Sequence, residues 1–249
     1  FGRAGLDETI RTLTSAGIEV AGAGGSLERA REPAIVALDG GGRILVFAAG
    51  TETSGIPREW AATATRSGVH LLPDLTDATA EALLDRIRRY RRPGDIVVFS
   101  IHWGGNWGYE VSGTHVRFAH RLIDGGVDVI HGHSSHHPRP IEIYRNRLVL
   151  YGCGDFITDY EGIPGYEEYR DDLVLMYFAR LDPATGELTA LRMTPLQLRR
   201  MRLVRPSAAD CEWLRERLAE VSKAFGCEIV AAPDGALTVE GLGASVPRR

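Results

Sequence analysis

Apolar positions in the first third of the chain alternate between a helical and a strand period. Leu6, Ile10 and Leu13 fall on one helical face, and Gly17 follows as a stop. Ile18 to Ala21 then reads as a short strand before the glycine turn at Gly22, Gly24 and Gly25. The runs Ala34 to Leu38 and Arg43 to Ala48 flank Gly40-Gly41-Gly42, which predicts a β-hairpin. Glu59 to Ser67 reads as a short helix. Asp77 to Arg92 is a stronger one, with Ala80, Leu83, Leu84 and Ile87 on one face and Pro93-Gly94 as the stop.

Asp95 to Ile101 is an apolar run suited to a strand buried on both faces, and its end delivers His102. Thr114 to Ile123 is helical and Gly125-Gly126 ends it. Val127 to Ile130 is the next buried strand, delivering His131 and His133. This strand–helix–strand unit sets both histidine groups at one edge of a parallel sheet, where open α/β sheets bind ligands. The second half is richer in strands. Ile141 to Tyr144 and Leu148 to Tyr151 bracket the turn Arg145-Asn146-Arg147. Leu173 to Leu181 and Glu187 to Met193 bracket a second turn at residues 182–186, and Leu196 to Val204 extends that sheet. A helix capped by Ser207 runs to Phe225. Glu228 to Ala231 and Leu237 to Glu240 pair across Pro233-Asp234-Gly235, and residues 242–249 read as a loose tail. Without repeats or a linker, residues 1–249 read as a single domain with two packed sheets.

Composition narrows the function. The 249 residues carry 29 Lys plus Arg against 33 Asp plus Glu, a net charge of -4. This acidity argues against a nucleic-acid partner, which calls for basic excess. No run approaches the roughly 20 apolar residues that span a bilayer. As read, the chain is cytoplasmic; an upstream segment before Phe1 would make it exported or membrane-anchored. Cys153, Cys211 and Cys227 lack both disulfide and zinc spacing and read as small buried thiols.

The histidines change the picture. Of eight, seven lie between His102 and His137. His102 leaves a buried strand into the glycine-rich loop Trp103-Gly104-Gly105-Asn106-Trp107-Gly108. His131, His133, His136 and His137 put four imidazoles into seven residues after a rigid strand, a pattern suited to a divalent metal such as Zn, Fe or Mn. Some of these are outer partners or a general acid rather than ligands. Asp155, in Tyr151-Gly152-Cys153-Gly154-Asp155-Phe156, either orients a histidine, contacts a metal, or closes an Asx turn or helix cap. Asp159 and Glu161 read as surface loop, and His115 and His120 as packing or surface residues. The run Arg88, Arg89, Arg91 and Arg92 at a helix end is explained by the helix dipole more simply than by an anion site.

These motifs together resemble the CapA (poly-γ-glutamate biosynthesis) family, whose members are similar to calcineurin-like metallophosphoesterases. The resemblance rests on the strand ending in His102-Trp103-Gly104, then Leu122-Ile123-Asp124-Gly125-Gly126, Gly132-His133-Ser134-Ser135-His136, Pro140-Ile141-Glu142-Ile143-Tyr144 and Tyr151-Gly152-Cys153-Gly154-Asp155-Phe156. It covers roughly Phe1 to Leu181. It implies an α/β fold, a four-layer α/β/β/α metallophosphatase-like sandwich with a divalent metal (Mn, Zn, Fe or Ca) at the strand ends. By motif position His102 and His133 would be ligands, and His136 a ligand or acid–base group. His136 or His137 would stand near the leaving oxygen, with Asp155 as a supporting carboxylate. The family's earlier Gly-Asp and Asn-Asn-His motifs do not occur here, and Phe1-Gly2 resembles the residues just after the second. The resemblance therefore implies that the N-terminal strands, with the bridging carboxylate, are missing. The implied function is phosphoesterase-type hydrolysis linked to poly-γ-glutamate or capsule biosynthesis, on a peptide-like or polymer substrate. The alternatives are a metal-dependent peptide epimerase using His/Asp acid–base chemistry, and a non-catalytic accessory component of polymer assembly.

Overall fold

The structure, a computed structural model, describes residues 2–39, 41–160 and 162–242. Glu161 and residues 243–249 of the expected tail lie outside the described residues. The chain divides into two compact units, Phe1–Gly105 with Ser112–Ser134 and Asn106–Val111 with Ser135–Arg249. Its class is mixed α/β, as the patterning predicts.

The first unit runs α1 (Gly2–Ser15), β1 (Ala23–Gly24), α2 (Leu27–Ala30), β2 (Ala34–Ala37), β3 (Arg43–Gly50), β4 (Gly68–Val69), α3 (Asp77–Tyr90), β5 (Asp95–His102), α4 (Gly113–Asp124) and β6 (Val129–His133). Strands β2, β3, β5 and β6 lie side by side in that order. The β2–β3 pair is the antiparallel hairpin, and the β3–β5 and β5–β6 pairs are parallel. Val97, Phe99 and Ile101 are fully enclosed, so β5 is a central strand. Helix α3 buries Ala80, Leu83, Leu84 and Ile87, the face that its periodicity marks, and Thr76 caps it by accepting from the Thr79 N–H. Helix α4 buries Phe118, Ala119, Leu122 and Ile123.

Two sequence expectations fail in this unit. Ile18 to Ala21 is not a strand. The Ile18 N–H bonds the Leu13 carbonyl and the Gly17 N–H bonds that of Thr14, so the segment closes helix α1 in a Schellman turn, with Gly17 at φ +75°. Glu59 to Ser67 is not a helix. After one 3-10 turn at Arg58–Trp60 the backbone bonds sideways, Ala62 N–H to Val69 and Thr63 N–H to Arg66. The β-branched Thr63 and Thr65 favour this extended course. A third boundary moves: β6 starts at Val129 and runs through His133, because its pairing with β5 extends to the register pair His102–His133. His131 and His133 are thus strand residues rather than loop residues.

The second unit holds β7 (Ile141–Tyr144), β8 (Arg147–Leu150), β9 (Leu173–Leu181), β10 (Leu188–Arg199), β11 (Arg202–Val204), α5 (Ala208–Ser222), β12 (Ile229–Ala231) and β13 (Leu237–Val239). The predicted hairpins are present. Arg145-Asn146 and Arg200-Met201 turn with positive φ at both central residues, matching the twist of two-residue hairpins. The sheet runs β11-β10-β13-β12, with β9 also paired to the long β10. Ser207 caps α5, its hydroxyl accepting from the Asp210 N–H at 3.1 Å. Among the described residues no helix is long and apolar enough to cross a membrane. Cys153, Cys211 and Cys227 are free thiols.

Candidate functional site

Strand geometry assembles the first group of polar side chains. Residues two apart on a strand share a face, so Ser100 and His102 project together from β5, and His131 and His133 from β6. Parallel register sets Ser100 beside His131 and His102 beside His133. The His102 and His133 Nδ1 atoms approach to 3.0 Å, which one N–H and one lone pair satisfy. The Ser100 hydroxyl bridges His131 Nδ1 at 3.0 Å and His133 Nε2 at 3.2 Å. The strand ends are fixed from behind. The Thr51 N–H and Ser54 hydroxyl donate to the His102 carbonyl at 2.9 and 3.0 Å. Trp103, buried, donates its N–H to the His133 carbonyl and stacks on His115 at 4.6 Å, giving His115 the packing role expected of it. Ser134, at φ +135°, donates to the Gly104 carbonyl. That strained backbone makes the chain turn sharply just after His133.

Burial, and then the nearness of His131 and His102, pushes His133 down to about 4. Burial also lowers the His131 pKa. Both rings are therefore neutral at pH 7, the form in which imidazole ligates metals. The chemistry of the His102–His133 pair suits a divalent transition metal. The number of donors does not complete a shell, which takes three or more protein ligands. Among the described residues, no group of three or more His, Cys, Asp or Glu side chains is arranged to hold an ion.

The second group belongs to the second unit. His136 Nδ1 lies 2.9 Å from Asp155 Oδ2, and the Tyr160 hydroxyl donates to the same oxygen at 2.7 Å. Asp155 thus orients a histidine, one of the roles its position left open. The His136 N–H donates to the Asn106 carbonyl at 3.0 Å, tying the histidine to the glycine-rich loop. With Nδ1–H committed to Asp155, Nε2 is the ring atom left for chemistry. His137 is placed differently. It is fully enclosed, its Nδ1 faces the Pro138 carbonyl at 3.1 Å, and its buried Nε2 has no hydrogen-bond partner among the described residues. Aromatic rings surround it: Tyr169 stacks at 4.6 Å and Tyr109 meets it edge-on at 4.6 Å. Burial pushes His137 down to about 4 as well. Trp107 stacks on Tyr166 at 4.2 Å and flanks both His136 and His137.

Ser100, Trp107, Tyr109 and Tyr169 escaped the sequence reading as site residues. Ser100 carried a usable signal, since it sits two residues before His102 and so on its face. Trp107 showed only as an aromatic within a glycine loop, and Tyr109 and Tyr169 carried no signal.

Residues 1–160 match the family model described as bacterial capsule synthesis protein PGA_cap. The chain is 48% identical over 245 residues to the probable polyglutamine synthesis accessory protein MT0602 of Mycobacterium tuberculosis (strain CDC 1551 / Oshkosh), an alignment covering 96% of this chain and 63% of the relative. It is 27% identical over 198 residues to the PGA biosynthesis protein CapA of Bacillus subtilis (strain 168), covering 80% of this chain and 48% of the relative. To the capsule biosynthesis protein CapA of Bacillus anthracis it is 23% identical over 184 residues, covering 72% of this chain and 41% of the relative. The chain spans less than two thirds of the length of each. With more than half of its residues matched by the model, the histidine-bearing strands and loop among them, the chain belongs to the bacterial capsule synthesis protein PGA_cap family.

Proposed function

We propose that this chain serves polyglutamate or capsule synthesis as a metal-dependent hydrolase of phosphoesterase type, acting on a peptide-like or polymer substrate. The His136–Asp155 contact at 2.9 Å carries the proposal. A carboxylate on Nδ1–H fixes the ring's tautomer and orientation, leaving Nε2 as the atom that, once protonated, passes its proton to a leaving oxygen. Tyr160, bonded to Asp155, holds that carboxylate in place. His136 is preferred to His137 for this step because its side chain is 20% accessible while His137 is fully enclosed. His102 and the neutral His133 would supply two imidazole donors to a divalent ion such as Mn, Zn, Fe or Ca, with further ligands completing the shell. When bound, such an ion polarises a substrate oxygen.

Hydrolysis of a phosphodiester and of a glutamyl oligomer, each assayed with added divalent metal, tests the reading. His136→Ala and Asp155→Asn should each lower kcat by roughly 10²–10⁴-fold, the usual worth of a positioned acid–base group. Wild-type activity that both variants retain in full would refute the assignment. A second reading, a non-catalytic accessory role, is favoured by the name of the 48%-identical relative, an accessory protein of polyglutamine synthesis. Folded protein that binds no divalent metal and hydrolyses neither substrate would support that reading instead.

A further inference from the structure

Within the first unit, a cavity of about 340 Å³ opens between the end of α2, the segment after β4 and the outer face of α3. Three arginines line it, Arg31, Arg86 and Arg89, against one carboxylate, Glu28. Arg86 is already satisfied. It binds Glu28 Oε1 at 2.6 Å and the backbone carbonyls of Glu28 and Arg31 at 3.1 and 3.0 Å, fixing α2 to α3. Subtracting that pair leaves two positive charges with no counter-charge in the wall. Arg31 is half-buried, and among the described residues its guanidinium makes no hydrogen bond or ion pair. Burial, and then the Arg86 charge, lowers its pKa, and the Glu28 charge offsets this only in part. A half-buried cation beside a second one is unfavourable unless something pairs with it.

The floor is polar as well. His70, which also lines the cavity, is 5% exposed and gives Nδ1–H to the Ala48 carbonyl at 3.1 Å. Thr79, on the rim, is tied to Asp74. Such a wall repels cations and wastes its charge on an apolar guest. Guanidinium forks match the paired oxygens of carboxylates and phosphates.

We propose that this cavity is a binding site for an oxyanion, with Arg31 as its principal contact and Arg89 at its mouth. The ligand is either a carboxylate side chain of an acidic peptide or polymer, or a phosphate group. The sequence reading gave Arg89 to the helix dipole; the cavity gives it a second role. The site stands independently of the His136 chemistry.

Titration calorimetry on the full chain, in low-salt buffer free of phosphate and carboxylates, tests it. The probes are a hexaglutamate peptide and inorganic phosphate, which separate the two sources. Binding of either probe supports the site if Arg31→Gln weakens it about tenfold and Arg89→Gln weakens it less, as losing one charge-assisted pair requires. Binding is read without added divalent metal and needs no turnover, so failure of the hydrolase reading leaves this result standing. Melting curves of the variants without ligand establish that they are folded. Binding of neither probe, or binding that Arg31→Gln leaves intact in a folded protein, would overturn the proposal.

Discussion

Asp155 and Ser100 show how single residues set the properties of their neighbours. Asp155 decides which nitrogen of His136 is available, and Ser100 ties His131 to His133. Buried histidines also carry a stability cost that depends on pH. Burial pushes His70 from 6.5 down to about 4, outweighing its bond to Ala48. The unfolded state therefore takes up a proton between those values that the folded state refuses. Stability from this residue is whole above about pH 6.5 and falls as pH drops toward about 4, by about 3 kcal/mol for the full interval. His70→Gln should flatten the fall in Tm between pH 7 and pH 4.5 relative to wild type. Equal pH slopes in the two proteins would contradict this account of His70. The sequence marked the histidine cluster but passed over His70, because isolation from the cluster says nothing about burial.

At the scale of elements, periodicity predicted what local pattern controls and missed what partners control. The buried face of α3 and the apolar run of β5 appear as read, since each carries a full period of apolar positions. The segment 59–67 does not, because its backbone bonds go to Val69, a partner that no window of sequence contains. Contact between elements also makes a testable coupling. A Cβ added at Gly125, after α4, would sit 2.2 Å from the Leu84 side chain of α3, and Leu84 is fully enclosed. Gly125→Ala should destabilise the protein, and Leu84→Ala alone should cost about 2–5 kcal/mol. In the double variant the clash is gone, so denaturant unfolding should give a loss well short of the sum. Strict additivity would mean that the two residues do not touch.

For the whole molecule, the α/β class and the family were legible because both rest on ordered local motifs, strand ends and glycine turns. The pairing of His136 with Asp155 and Tyr160 was only partly legible. Asp155 was singled out, but its partner depends on how the loop after β6 folds back within the second unit. The enclosure of His137 by Tyr109 and Tyr169 was invisible, since those rings come from distant stretches of chain. The proposed function turns on whether His102 and His133, adjacent in register, hold a metal. Titration calorimetry of Mn²⁺ or Zn²⁺ into the metal-free chain, with His102→Ala and His133→Ala alongside, tests this most directly. Wild type should bind with a defined stoichiometry, and each variant should bind at least about tenfold more weakly, since even residues that merely support ligands are worth about that much. Unchanged stoichiometry and affinity in both folded variants would contradict it.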